Sequence, residues 1–266
     1  MESIAVSLLT YLATGAVAGV LAGLLGIGGG LVIVPALAAL FALQGFPNTL
    51  LMHFALGTSL ATIVPTSIAS LLAHHRRGSV HWEAVRSLTP GIVLGALAGA
   101  WLAGQSSSAG LRAVFGCFEV LVALQLAFGR QPGRHRDLPG VFGQELAGVL
   151  IGAVSSVLGI GGGTLTVPYL RWNGVDIRVA VGTAATCGLP IAIAGSAGYV
   201  IAGLGLEEAP GMNSGFVYWP ALAGIVLASV PMAPLGAGLA HRLPRNVLLR
   251  VFALVLAVIG VKMILA

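Results

Sequence analysis

The stretch Gly23-Leu-Leu-Gly-Ile-Gly-Gly-Gly-Leu-Val-Ile-Val-Pro35 returns in the second half of the chain as Ser156-Val-Leu-Gly-Ile-Gly-Gly-Gly-Thr-Leu-Thr-Val-Pro168. The two copies keep one constant offset from the first glycine to the proline. A second pair follows. Ala55-Leu-Gly-Thr-Ser-Leu-Ala-Thr-Ile-Val-Pro65 answers to Ala180-Val-Gly-Thr-Ala-Ala-Thr-Cys-Gly-Leu-Pro190, and Leu111 to Phe115 answers weakly to Leu248 to Phe252. Self-similarity of this kind identifies an internal duplication, in which each half is one structural unit.

Outward from these motifs the chain is apolar almost throughout. Of its 266 residues 57% are hydrophobic and 8% charged, and its mean hydropathy is +1.00. Soluble domains carry about 25% charged residues, so the solvent of this protein is a membrane. Apolar runs lie at residues 4–43, 50–73, 88–104, 110–128, 141–171, 177–203, 216–240 and 247–265, and a helix needs about 20 such residues to cross. The interruption Gly129-Arg-Gln-Pro-Gly-Arg-His-Arg-Asp-Leu-Pro-Gly140 has the composition of a solvated linker. The expected organisation is a first transmembrane repeat at 1–128, a cytoplasmic linker at 129–140 and a second repeat at 141–266. Residues Met1-Glu2-Ser3 lack a basic n-region, so the first apolar run is expected to remain as a membrane segment.

The net charge is +5. A nucleic-acid partner would need a basic face on a water-exposed domain, for which the chain has no room. The basic residues are instead read as topology. Eleven of the 13 lysines and arginines fall at four places: Arg76, Arg77 and Arg86; Arg130, Arg134 and Arg136; Arg171 and Arg178; Arg242, Arg245 and Arg250. Placing these in the cytoplasm puts Gln44 to Thr49, Gln105 to Ser108 and Glu207-Glu208 outside, together with both termini. The 141–171 run then has cytoplasmic ends and crosses an even number of times, as a hairpin or a re-entrant pair. The two halves consequently face opposite ways, the inverted-repeat plan of many secondary transporters. The expected fold is an all-α integral membrane protein of two inverted repeats. Each repeat is a Gly-broken helical hairpin plus three transmembrane helices, for about eight to ten membrane segments in all.

Irregular backbone at membrane depth is tolerated where it is buried in protein or lines a cavity. The Gly-Ile-Gly-Gly-Gly clusters supply such backbone, and a helix starting after each would direct free N–H groups and its positive dipole end toward the break. That is an anion site. Candidate substrate-binding residues are therefore Gly28, Gly29 and Gly30 in the first half and Gly161, Gly162, Gly163 and Thr164 in the second. The Gly-Thr pairs add the hydroxyls of Thr58, Ser59 and Thr183, with Thr62, Thr166 and Thr186 nearby. No Lys-Ser/Thr follows the glycines, so these are not nucleotide phosphate loops. Gly15, Gly19, Gly23, Gly148 and Gly152, spaced by four, read as helix-packing positions.

Glu119 lies midway along an apolar run and is a proton-coupling candidate, against a structural hydrogen bond to Gln125. Its repeat counterpart is Leu256. His53 and Arg178, equivalent in the repeat, read as helix-end anchors that snorkel, against the alternative of recruiting an anion electrostatically. Cys117 and Cys187 form neither a disulfide framework nor a metal site. There is no His-Glu-x-x-His, no Gly-x-Ser-x-Gly and no pair of intramembrane aspartates, so no catalytic residue, metal or cofactor is expected, and a membrane-embedded enzyme is the weaker class.

The two glycine motifs, the Gly-Thr helices after them and the basic central loop resemble the TauE/SafE family of membrane transporters, also called the sulfite exporter or toluene-sulfonate-uptake family. The resemblance implies a multi-pass permease of the bacterial cytoplasmic membrane. It implies a small anionic substrate, commonly an organosulfur oxyanion such as sulfite, thiosulfate or a sulfonate, with residues around the Gly breaks and Gly-Thr helices as the binding residues. Coupling to protons or sodium and a homodimeric state are compatible with it. The alternatives are a carrier of another small carboxylate or a cation, and an anion channel.

Overall fold

The computed structural model describes residues 2–25, 29–128, 137–205, 211–240 and 245–265. Those residues form ten helices: α1 (Glu2–Leu25), α2 (Gly30–Leu43), α3 (Leu51–Arg76), α4 (Trp82–Gln105), α5 (Ser108–Phe128), α6 (Val141–Val157), α7 (Gly163–Trp172), α8 (Ile177–Ala202), α9 (Trp219–Ala240) and α10 (Arg245–Leu265). A two-residue hairpin, β1 (Asn213–Ser214) and β2 (Val217–Tyr218), precedes α9. The protein is an all-α integral membrane protein. Among the described residues α3, α4, α5 and α8 are long and apolar enough to cross a bilayer, and shorter apolar helices accompany them. Large apolar side chains such as Leu94, Trp101, Leu121, Leu150 and Leu227 are exposed on the outer surface, the inverse of a soluble protein's economy and the expected one where lipid is the solvent.

Each long expected run resolves where glycine breaks it. Residues 4–43 divide into α1 and α2, and 141–171 into α6 and α7. The second break interrupts the i to i−4 ladder because glycine supplies conformations other residues resist. At Gly159 this is literal, with φ +62°. Gly28 of the first cluster, the linker residues 129–136, Glu207-Glu208 and Arg242 lie outside the described residues.

Helices α3 and α8 form the centre. Every residue from Leu51 to Leu60 is buried, and a helix apolar and buried all round is a core helix. The two run antiparallel: a Cβ on Gly57 would lie 3.0 Å from Cβ of Tyr199, and one on Gly188 would lie 3.2 Å from Oγ of Ser67. Around this pair the halves exchange partners. Helix α1 packs along α9, α4 packs along α6, and α5 packs against α10.

Bare backbone makes these contacts close. A Cβ added to Gly15 or Gly19 would lie 2.5 Å from the carbonyl oxygen of Ile225 or Ser229 on α9. On α4, Cβ atoms at Gly91, Gly95 and Gly99 would meet the carbonyl oxygens of Glu145, Val149 and Ala153 at 2.0, 2.1 and 2.4 Å. Gly148 and Gly152 return the contact toward Leu88 and Ile92. Small residues permit this approach, which is what drives helix association when lipid removes the hydrophobic incentive. Gly95→Ala is therefore expected to push α4 from α6 and destabilise the protein by about 1–3 kcal/mol, the usual overpacking cost, read as a lowered melting temperature in detergent. Gly140→Ala, where a Cβ meets nothing within 4 Å, should leave it unchanged.

Candidate functional site

The two Gly breaks meet in the interior. A Cβ on Gly30, at the start of α2, would lie 2.8 Å from the carbonyl oxygen of Gly159 and 2.8 Å from Cα of Ile160. Gly159 in turn leaves no room beside Leu56 of α3. Ser59 Oγ donates to the Gly159 carbonyl at 2.8 Å. Gly161 and Gly162 are buried, and a Cβ on Gly162 would approach the Ala184 carbonyl oxygen and the Gly188 nitrogen of α8 at 3.0 and 3.2 Å. Neither Gly29 before α2 nor Gly162 before α7 supplies a side-chain cap. The first N–H groups of both helices are thus left without intrahelical partners.

The Gly-Thr pairs have a different geometry from the breaks. Thr58 Oγ1 accepts from the N–H of Tyr218 at 3.0 Å, and Thr183 Oγ1 accepts from the N–H of His81 at 2.9 Å. A Cβ on Gly57 would strike the Phe216 carbonyl oxygen at 2.7 Å, and one on Gly182 the Ser79 carbonyl oxygen at 2.1 Å. Each pair therefore clasps the extended residues that lead into the fourth helix of the other half, α9 or α4. Thr62 and Thr186 bond to carbonyls of their own helices, Ser59 and Gly182, the local bonding that Ser and Thr often adopt.

A second set of hydroxyls has no partner. Ser155 and Ser156 end α6, and Thr164 and Thr166 begin α7. The hydroxyl oxygens of all four are buried without a hydrogen bond. Ser155, Ser156 and Thr166 are fully buried. An unmade bond at a buried hydroxyl costs about 1–3 kcal/mol, and four such hydroxyls flank the second break in the sequence. Sequence reasoning passed over Ser155 and Ser156. The signal available was the repeat itself, where Ala22 and Gly23 occupy the equivalent positions.

Glu119 is also fully buried, with both carboxylate oxygens unpartnered. The expected bond to Gln125 does not form, because Gln125 faces outward. Glu119 instead lies where α5 crosses α10: a Cβ on Gly260 would be 3.0 Å from its Cβ. His53 differs from a snorkelling anchor. It is 3% exposed, its Nε2 lies 3.1 Å from the Ala103 carbonyl and 3.0 Å from that of Ser106, and its ring stacks on Phe216. A histidine with two carbonyl acceptors at hand has no need to reach the interface. Arg178 is exposed beside Asp176, which caps α8 through the Arg178 N–H at 2.8 Å. Cys187 is buried and Cys117 exposed. Among the described residues no three His, Cys, Asp or Glu side chains are grouped to hold a metal.

A family model described as "Sulfite exporter TauE/SafE" matches residues 11–263. The chain belongs to the TauE/SafE family. Relatives of the same extent agree. A probable membrane transporter protein of Haemophilus influenzae is 39% identical over 260 residues, covering 97% of this chain and 98% of its own. One of Methanocaldococcus jannaschii is 28% identical, covering 94% and 93%, and one of Bacillus subtilis is 27% identical, covering 94% of each. No solved structure matches the chain. The family and these names make the protein a membrane transporter, acting on a small molecule from within the bilayer.

Within this TauE/SafE chain the threonine clasps are testable. Thr58→Val or Thr183→Val keeps the side-chain shape and strands the N–H of Tyr218 or His81. Each is expected to cost about 1–3 kcal/mol, measured by thermal or denaturant unfolding in detergent. The double variant should be close to additive, since the two clasps share no partner.

Proposed function

We propose that the protein is a secondary transporter that carries a small anion by alternating access, and that the anion is an organosulfur oxyanion such as sulfite, thiosulfate or a sulfonate. The observation that carries the reading is the meeting of the two Gly breaks, with two uncapped helix starts on buried backbone. Helix N-termini with bare backbone attract anions through N–H groups and dipole together. The family's own description, a sulfite exporter, supports the choice of sulfur chemistry.

The antiparallel run of α3 and α8 and the exchange of α1, α4, α6 and α9 between halves support two inverted repeats, residues 1–128 and 141–266, around the site. In this reading the cytoplasmic end carries Arg76, Arg77, Arg171 and Arg178, the membrane is the bacterial inner membrane, and both termini lie outside. Glu119 carries the coupling proton. A carboxyl group with neither oxygen partnered, deep in an apolar segment, is expensive unless it has a use.

Gly161 gives the cleanest test of the site. A Cβ there would meet only Ile63, at 3.6 and 3.9 Å, which is ordinary contact, so Gly161→Ala should fold normally. It is expected to lose at least tenfold in uptake by proteoliposomes and to lose the thermal stabilisation that a bound anion gives the wild type. Full activity in that variant would remove the anion from the break. Glu119→Gln should flatten the pH dependence of uptake, and an unchanged pH profile would take Glu119 out of the coupling.

A further inference from the structure

The residues that lead into α4 and those that lead into α9 are copies of one another. Ser79-Val-His-Trp82 answers to Phe216-Val-Tyr-Trp219, at the offset that relates Leu111 to Leu248. Both copies are clasped in the same way. The N–H of the third residue donates to Thr183 Oγ1 or to Thr58 Oγ1, and the carbonyl of the first packs on Gly182 or Gly57. What surrounds the clasps has diverged.

The copy before α9 is set among rings. Phe216 lies edge-on to Phe54 and Tyr199, with centroids 5.6 and 6.4 Å apart. Tyr218 lies edge-on to Phe41 and Phe46 at 5.8 and 5.2 Å. His53 stacks on Phe216, but its Nε2 faces the carbonyls of Ala103 and Ser106.

The copy before α4 is held by imidazole. His81 takes the place of Tyr218, and its Nδ1 accepts from the N–H of Ala84 at 3.1 Å, capping α4. Nδ1 of His81 is therefore unprotonated in this arrangement. Ser79 Oγ donates to the His74 carbonyl at 3.2 Å and lies 3.0 Å from His74 Nδ1. His74 is thus the donor of that second bond and keeps it whether its ring is neutral or charged. His75 meets the connection through the ring of Trp82, at 5.4 Å. Of these three histidines, His81 alone uses a lone pair that a proton would take. The other charged groups on the elements that meet there are Arg76 and Arg77 at the end of α3, Glu83 and Arg86 on α4, Asp176 and Arg178 at the start of α8, and Asp137 and Glu145 before and on α6. The side-chain cap of α4 comes from His81.

We infer that the connection at 79–82 is a proton-released latch between α4 and α8, built on one face of the membrane only. Protonating His81 occupies the lone pair that caps α4 and sets a positive charge at the positive end of that helix, and both changes weaken the hold. Histidine is the side chain whose charge ordinarily changes between pH 5 and 8. Acid on that face, cytoplasmic in the topology proposed above, loosens the start of α4 from Thr183. The far end stays held. There a Cβ on Gly198 would lie 2.5 Å from Cβ of Ala100, and one on Gly104 would lie 2.8 Å from Cβ of Ala202. Helix α4 is then free to pivot about that end, and the contacts at Gly91, Gly95 and Gly99 carry α6 with it. The latch belongs to the frame, and it acts whatever the protein carries and without Glu119.

The test is hydrogen exchange of the purified full chain in detergent, comparing protection factors of the segments 79–86 and 216–223 at about pH 8 and about pH 5.5. In the wild type, protection at 79–86 is expected to fall about fivefold or more on acidification, the scale of a lost side-chain cap, while that at 216–223 holds steady. His81→Asn keeps an acceptor at the cap that takes up no proton at either pH, and it should erase the fall. His74→Gln should retain it. If His81→Asn does not accumulate, His81→Asp, whose carboxylate is also a cap at both pH values, decides the same point. A fall that persists in the His81 variant, or that disappears in His74→Gln, overturns the assignment to His81. Equal falls in both segments, or none in the wild type, overturn the one-sided latch.

Discussion

Hydrocarbon offers a backbone N–H nothing to bond to, and the whole architecture follows from where this chain accepts that penalty. Among the described residues the chain runs as ten helices, and the interruptions at the two Gly-Ile-Gly-Gly-Gly clusters fall inside long apolar runs. Such breaks survive only when protein surrounds them. Here Gly30 meets Gly159, and α3, buried at every residue from Leu51 to Leu60, packs with α8 beside them. Ser59 of the first half supplies the bond that the Gly159 carbonyl lacks. The central helices must therefore come from both halves, because neither half alone could cover its own break.

That requirement explains the exchange of outer helices. Gly57 and Thr58 hold residues 216–218, and Gly182 and Thr183 hold residues 79–81, so each half fixes the entry to the other half's fourth helix. The fourth helix then packs along the other half's first, α9 on α1 and α4 on α6, through glycines that bring backbones into contact. A packed contact of this kind is not continuously deformable. The close-packed pairs α1 with α9 and α4 with α6 thus take one helix from each half.

Much of this was legible in the sequence. Hydropathy located the helices to within a few residues, apart from the start of α4, and the glycines marked the breaks, because lipid imposes one length and one rule on every segment. The packing role of Gly15, Gly19, Gly148 and Gly152 followed from spacing by four. Azimuth did not follow. Nothing in residues 53–58 says that Thr58 will accept a bond from Tyr218 or that His53 will sit under two carbonyls from the far end of α4. Gln125 is within two turns of Glu119 and yet faces outward, which proximity along a helix cannot foretell. The hairpin before α9 was missed because two-residue strands have no periodicity to read.

Duplication leaves both halves with the same tools, and the differences between them mark what each has since been asked to do. Ser59 has spent its proton on the Gly159 carbonyl, and at the equivalent position the second half has Ala184. That hydroxyl of the first half is thus already engaged at the second break. The second break keeps four buried hydroxyls that bond to nothing within the protein. Selection on stability alone would remove them, since a methyl group of the same shape carries no desolvation cost, and the first half did arrive at Leu31 and Ile33 in two of those places. The duplicated motif is thus apolar in one copy and hydroxyl-bearing in the other at two positions, Leu31 against Thr164 and Ile33 against Thr166.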